Sequence, residues 1–323
     1  MKLEDIGFYT LSDARAAVAT HCSPLQRCEL LVTQRCNFNC PYCRKLEGQE
    51  LSLDDAAKIL KLWIRDDLQN LRFSGGEPTL WPYLEECVRY CKIAGVKRIA
   101  VSTNGSADWE LYERLIKAGV NDFSVSLDAC CSEGGNVMSG VKDQFNKVAK
   151  NIELICSRKI YLSVGVVLTD ENIGEVDKIV AFAHSLGVSD IRVIPAAQHS
   201  KALPEIQPGY TKIYPILKYR LNNMKAGNTV RGLQETDNHR CPLVLDDMAV
   251  WDGHHYPCII HLREGGAPIG KVSAKMRDER FWWFSIHDTH VDHICKGNCL
   301  DVCVQYNNRV RELREINKRN WEK

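Results

Sequence analysis

Short apolar runs alternate with longer amphipathic ones along most of this chain. The strand-like runs are CELLVT at 28–33, NLRFS at 70–74, RIAVST at 98–103, DFSVSLD at 122–128, YLSVGVVL at 161–168 and DIRVIPA at 190–196. Compact apolar runs bounded by polar and turn residues read as buried strands. Between them, helical periodicity covers 51–68, 80–95, 107–119, 141–158 and 171–187. Three of these segments end in glycine just past the last apolar position, at Gly95, Gly119 and Gly187. Asp or Ser opens several, as capping requires. Six strands alternating with helices predict an α/β fold with a parallel sheet and right-handed crossovers. Periodicity does not choose between a partial barrel and an open sheet. Both put a functional site at the C-terminal strand ends.

After residue 232 the rhythm breaks. The segment 233–303 is rich in Cys, His, Gly and Trp, a composition with little core to bury that calls for a metal staple. The expected organisation is a lead segment at 1–27, an α/β domain at 28–232 and a Cys-rich domain at 233–323. The closing stretch NNRVRELREINKRNWEK reads as a helix with a solvated basic face.

Composition narrows the class. The chain has 323 residues, 45% hydrophobic and 26% charged, with a formal net charge of +1. That is an ordinary globular balance with no global pull toward nucleic acid or membrane. No apolar run approaches the roughly 20 residues of a membrane span. The opening MKLEDIGFYTLSDARAAVATHC is neither a signal nor a transit peptide, so the expected location is the cytoplasm. Fifteen cysteines, three within 36–43 and five within 241–303, then point to metal binding rather than a disulfide framework.

The first group is RCNFNCPYC, with Cys36-x3-Cys40-x2-Cys43 just after the first strand. Three thiolates are one short of a closed zinc or iron–sulfur site. They would hold a cubane on three corners and leave one metal open; a zinc knuckle with a distant fourth ligand is the alternative. The triplet, with Tyr42 before its last cysteine, resembles the signature of the radical S-adenosylmethionine (radical SAM) enzymes. The resemblance implies a partial (β/α)6 TIM-like barrel. It also implies a [4Fe-4S] cluster on Cys36, Cys40 and Cys43 whose open iron chelates the amino and carboxylate groups of S-adenosylmethionine.

Further stretches fall where that family keeps its cofactor motifs. RFSGGEP ends the second strand with Ser74, Gly75, Gly76, Glu77 and Pro78. Paired glycines permit a turn with positive φ and close backbone approach, and the resemblance makes Glu77 an acceptor for the methionine amino group. VSTNG ends strand three with Thr103 and Asn104. SVSLD ends strand four, with Ser126 and Asp128 on the ribose and methionine side. LTDEN at 168–172 ends strand five with Asn172, and VIPAA at 193–197 ends strand six near the adenine. Each taken alone is equally a strand-to-helix turn with a polar cap, and Tyr42 either flanks the adenine or belongs to the core. One departure stands out: relatives with extra clusters often carry Arg or His after the strand-four Asp, and ACCSEGGNVMSGVKDQFNKVAKN has neither.

The second group reads Cys241-x11-Gly253-x4-Cys258, then Cys295-x3-Cys299-x3-Cys303. It resembles the SPASM/twitch extension, which implies auxiliary [4Fe-4S] clusters. Five cysteines suffice for one cluster, on Cys241, Cys258 and two of Cys295, Cys299 and Cys303; a tetrahedral zinc site is the alternative. Cys28, Cys87, Cys91 and Cys156 fit apolar positions as small core residues. Cys130 and Cys131 follow strand four on the expected active face, where Cys130 is the candidate hydrogen donor to a substrate radical.

The resemblance thus implies an enzyme. It would cleave S-adenosylmethionine reductively to a 5′-deoxyadenosyl radical that abstracts hydrogen from a peptide or small-molecule substrate, fed by a reductase or a flavodoxin- or ferredoxin-type electron donor. Modification of a nucleoside or nucleic-acid base is the second reading. A non-catalytic iron–sulfur or zinc scaffold is the third.

Overall fold

The computed structural model describes residues 13–196, 206–227 and 230–321. Part of the 1–27 lead segment and Ala197 of VIPAA lie outside these. Nine strands are present among the described residues: β1 Arg27–Thr33, β2 Asn70–Gly75, β3 Arg98–Thr103, β4 Asp122–Ser126, β5 Tyr161–Leu168, β6 Asp190–Pro195, β7 Asp247–Trp251, β8 His254–Tyr256 and β9 Gly270–Lys271. Thirteen helices accompany them among the described residues: α1 Asp13–Ala17, α2 Leu53–Arg65, α3 Leu84–Ile93, α4 Trp109–Ala118, α5 Ser132–Ser139, α6 Phe145–Ser157, α7 Val176–Ser185, α8 Pro208–Thr211, α9 Pro215–Lys225, α10 Ile259–Arg263, α11 Met276–Ile286, α12 His293–Asn298 and α13 Asp301–Trp321. The six expected strands are β1 to β6. The expected capping glycines Gly95, Gly119 and Gly187 all have positive φ, at 87°, 131° and 79°.

Two compact units are interleaved in sequence. One comprises the described residues of Met1–Leu30, Asp54–Leu71 and Thr229–Lys323, the other Leu31–Leu53 and Arg72–Asn228.

The second unit holds the parallel α/β array β6-β5-β4-β3, with the parts of β2 and β1 that follow Leu71 and Leu30. The register sets Val101 beside Phe123, Val125 beside Val164 and Val164 beside Ile191. These residues are at most 1% exposed, which is why the strands read as nearly continuous apolar runs rather than alternating ones. The helices present matching apolar faces: Val88 and Cys91 on α3, Tyr112 and Leu115 on α4, Ile152 and Ile155 on α6, Ile179 and Val180 on α7. Each such aliphatic side chain contributes roughly 1.5–3 kcal/mol by leaving water. Trp81 is buried and donates its indole N–H to the Leu51 carbonyl at 2.8 Å, pinning the end of the cysteine-bearing loop.

The first unit differs from the sequence reading of 233–303 as a core-poor segment. The first half of β1 pairs in parallel with β7, from Arg27 opposite Asp247 to Leu30 opposite Val250. Val244, Ala249 and Val250 are fully buried. The segment gains a core because 13–30 and 54–71 join it: Trp63 on α2 donates its indole N–H to Met248 Sδ at 3.1 Å. Arg15 on α1 makes a buried two-point ion pair with Asp246, its Nε 2.8 Å from Oδ2. A hairpin joins β7 to β8, pairing Trp251 with His254 across Asp252 and Gly253, both at positive φ; Asp-Gly is the favoured two-residue turn for this geometry. Buried Arg280 donates to the carbonyls of Val244, Tyr256 and Pro257 at 2.8, 2.9 and 3.0 Å, and to that of Asp247. One guanidinium fork thus holds the backbone between Cys241 and Cys258.

Candidate active site and thiol cluster

Within the α/β unit, Cys36, Cys40 and Cys43 lie on the irregular loop between β1 and α2, and Cys36 and Cys43 are exposed. A turn closes it, with the Cys43 amide donating to the Cys40 carbonyl at 3.1 Å. Burial pushes the Cys40 thiol up to about 12, with Asp128 and the other two cysteines adding to the rise and a hydrogen bond with Tyr42 opposing it. Burial likewise raises Cys36, whose sulfur accepts the Phe38 amide at 3.4 Å. Three neighbouring thiols, two of them raised by burial, suit a cationic metal centre, which binds thiolates and displaces their protons.

The two glycines of GGEP seat this loop. Gly75 has φ +142°, and a Cβ there would lie 2.4 Å from the Thr33 carbonyl oxygen. A Cβ on Gly76 would lie 2.3 Å from the Arg35 carbonyl oxygen and 2.6 Å from that of Gln34. The close approach is therefore to the chain entering the cysteine loop. Two backbone bonds seal it, Gly76 N–H to Thr33 O at 2.7 Å and Glu77 N–H to Arg35 O at 2.8 Å. Ser74, just before, is buried.

Glu77 is 1% exposed and its carboxylate is heavily engaged. Oε1 accepts from Thr79 N (3.0 Å), Thr79 Oγ1 (2.7 Å) and Thr103 Oγ1 (2.7 Å), and Oε2 accepts from Asn104 N (2.6 Å). Burial raises its carboxyl while these donors pull it back. Asn104 in turn donates to Asn37 Oδ1 at 2.8 Å and points the same Nδ2 at Cys36 Sγ, 3.9 Å away. Asn37 donates to Ser106 Oγ at 2.8 Å, and Ser106 donates to Asn104 Oδ1 at 2.7 Å. A polar chain thus runs from GGEP through the end of β3 to the first cysteine. Asn37 and Ser106 escaped the sequence reading; Asn37 sits inside the cysteine motif at a position the spacing rule treats as arbitrary.

The other side of the loop rests on β4 and β5. Tyr42 donates its hydroxyl to Asp128 Oδ2, and Asp128 Oδ1 accepts the Val167 amide at 2.6 Å. Burial lifts the Asp128 carboxyl to about 6 against both hydrogen bonds. Asn172 is buried and spends its amide on backbone: Oδ1 accepts Thr169 N at 2.9 Å, while Nδ2 donates to Asp128 O at 3.0 Å and Val167 O at 2.9 Å. It clamps the end of β5 to the residues after β4. Ser126 is exposed at the end of β4, and half-buried Cys130 lies four residues on. The segment lacking Arg and His forms α5, where Gly140 (φ +67°) comes so close to Asn39 that a Cβ would meet its carbonyl oxygen at 2.3 Å. Ser139 O accepts the Asn39 amide at 2.8 Å. Backbone docking of the cysteine loop is thus what this segment supplies.

In the first unit, Cys241, Cys258, Cys295, Cys299 and Cys303 all line one cavity, with His261, Trp283 and Asn307. Asn307 Nδ2 donates to Cys241 Sγ at 3.4 Å and His261 N to Cys258 Sγ at 3.5 Å. Arg27 approaches Cys303 Sγ at 3.9 Å while paired with Asp247. Burial, then neighbouring thiols and carboxylates, push Cys241 up to about 11, Cys258 up to about 12 and Cys295 higher still. Five thiols drawn together by residues over 60 positions apart form a donor set that suits a thiolate-bound metal. No helix among the described residues is long and apolar enough to cross a membrane.

Comparison with known proteins agrees with this geometry. Residues 30–183 match the family model described as the radical SAM superfamily. A relative from Saccharolobus islandicus named "Probable GTP 3',8-cyclase" is 32% identical over 177 residues, 53% of this chain and 57% of the relative. The chain thus spans little more than half the length of that curated relative. Among solved structures, Streptococcus suis SuiB bound to precursor peptide SuiA superposes with a TM-score of 0.58 at 18% identity, covering 86% of this chain and 70% of that one. Native anSMEcpe with bound AdoMet gives 0.57 at 18% identity, covering 92% of this chain and 100% of that one. These likenesses are of fold, and they agree with a partial barrel followed by a cysteine-rich extension. The family match over residues 30–183, the strand order and the cysteine loop agree in their likeness to the radical SAM superfamily.

Proposed function

We propose that this chain cleaves S-adenosylmethionine reductively at a [4Fe-4S] cluster held by Cys36, Cys40 and Cys43, and turns the 5′-deoxyadenosyl radical on a substrate C–H bond. The observation that carries the reading is the seating of a three-cysteine loop against GGEP at the C-terminal strand ends of a parallel array. Bound there, the cluster supplies one electron to the sulfonium, and the protein's part is to hold, orient and shield. The three thiolates hold the metal. Asn104 and Asn37 orient the first of them, and Tyr42 with Asp128 fixes the loop's last turn. Thr103 and Glu77 set the backbone from which Asn104 projects, so they act as positioning residues. Ser126 and the strand-six end are the remaining cofactor-side positions, and Cys130 is the hydrogen-donor candidate.

The five-thiol cavity supports a second, auxiliary [4Fe-4S] cluster on Cys241, Cys258 and two of Cys295, Cys299 and Cys303. A flavodoxin- or ferredoxin-type protein is the electron source. The substrate is a peptide or a small molecule. The relatives named GTP 3',8-cyclase favour a purine nucleotide as the second reading, since their 32% identity is a likeness of sequence.

The test is anaerobic reconstitution with iron and sulfide, then dithionite and S-adenosylmethionine. About eight irons per chain and formation of 5′-deoxyadenosine are expected, with both the product and about half the iron lost in the Cys36/Cys40/Cys43→Ala variant. A triple variant with unchanged iron would sink the assignment. Stimulation of 5′-deoxyadenosine formation by GTP rather than by peptides would decide for the nucleotide reading.

A further inference from the structure

The auxiliary cavity holds one thiol more than a cubane takes, and the surplus thiol has other company. Cys295 Sγ, a His287 nitrogen and an Asp292 oxygen lie within 4.8 Å of one another. Asp292 caps α12, its Oδ1 accepting the amides of Ile294 and Cys295 at 2.8 and 3.0 Å. That leaves Oδ2 facing two imidazoles: His261 Nε2 at 3.1 Å and His287 Nε2 at 3.2 Å. The His287 nitrogen is buried and makes no hydrogen bond, although the carboxylate is this near. Trp283 holds both rings, stacked on His287 at 3.8 Å between centroids and edge-on to His261 at 6.5 Å. The side chains of His261, Asp292 and His287 are 7%, 12% and 22% exposed.

We propose that Cys295, His287 and Asp292 form a mononuclear metal site, with zinc as its occupant and His261 beside it on the Asp292 carboxylate, distinct from any iron–sulfur cluster. Two N or O ligands about 2.0–2.1 Å from a tetrahedral zinc are separated by about 3.3 Å, so the 3.2 Å between His287 Nε2 and Asp292 Oδ2 already matches a shared cation. A set of one thiolate, one imidazole and one carboxylate suits zinc's borderline softness and leaves its fourth position to solvent. Binding releases the Cys295 thiol proton to solvent. With Cys295 so used, Cys241, Cys258, Cys299 and Cys303 are four thiols for one cubane; that corollary rests on the auxiliary-cluster reading, whereas the mononuclear site stands on its own donors.

The experiment is zinc and iron analysis of anaerobically purified full-length protein, wild type and variants, with Co2+ replacing zinc as a spectroscopic probe. About one zinc per chain is expected beyond the iron. It should be lost in His287→Ala and in Asp292→Asn, which keeps the cap on α12, with iron unchanged in both. The cobalt form should show a thiolate-to-metal charge-transfer band that disappears in Cys295→Ser. The same zinc loss in a protein whose iron is also indifferent to Cys241→Ala would support the mononuclear site while removing the auxiliary cubane. The proposal is overturned if the wild type takes up neither Zn2+ nor Co2+ stoichiometrically, or if Cys295→Ser lowers iron by about four per chain.

Discussion

Tyr42 donates its phenolic hydrogen to Asp128, so the residue before the last cysteine of the loop is bonded to the carboxylate just beyond β4. Asp128 is only 8% exposed, and losing a donor there leaves a buried oxygen without its partner. Tyr42→Phe is expected to cost about 1–3 kcal/mol, read as a lower urea midpoint with an unchanged slope. It should also quicken iron loss to a chelator, because the turn at Cys40 to Cys43 is released. A midpoint within error of wild type would mean the bond carries no weight.

Gly76 tests the seating of the loop. Its missing side chain leaves room for the carbonyls of Arg35 and Gln34, which are backbone and cannot step aside cheaply. Gly76→Ala is expected to destabilise by about 1–3 kcal/mol or more through overpacking, and to reduce iron at the first cluster. Gly174→Ala, where nothing lies within 4 Å of the new methyl, should be close to neutral. Equal behaviour of the two variants in urea unfolding would refute the steric account.

His255 gives a pH signature to the first unit. Its buried side chain lies 2.8 Å from Glu279 Oε2 and 3.4 Å from Arg280 Nη1. Burial first, and the Arg280 cation second, lower the imidazole from 6.5 to about 4. The folded state therefore binds fewer protons than the unfolded chain between these values. The resulting stability is present above pH 6.5 and is lost as pH falls toward about 4, with a slope of up to about 1.4 kcal/mol per pH unit. Urea unfolding at pH 7, 6 and 5 should show wild type losing more stability than His255→Gln. Parallel declines would exclude the histidine as the cause.

Much of this was legible locally. β1 to β6 matched their apolar runs to within two residues at either end, because a buried parallel strand writes its burial directly into sequence. β7 did not, since DMAVW is only five residues long and its partner lies 220 positions upstream. The Asp252-Gly253 turn was readable as a hairpin signal but was absorbed into a cysteine spacing. At the site, spacing identified the thiols, while the roles of polar residues were hidden. Asn172 and Glu77 look alike in sequence whether they face a cofactor or a backbone amide, and only the fold reveals that both are bonded to the chain itself.

The pairing of Arg27 with Asp247 also sets a timetable for biosynthesis. β1 leaves the ribosome 220 residues ahead of its β7 neighbour, a delay of about 10–45 s at ordinary elongation rates of roughly 5–20 residues per second. For that interval one edge of the nascent strand has no mate. Shortening the chain at residue 232 would make the delay permanent. Such a fragment would keep the cysteine loop and the β3 to β6 array but carry an open, apolar strand edge, the kind of surface on which newly made chains aggregate.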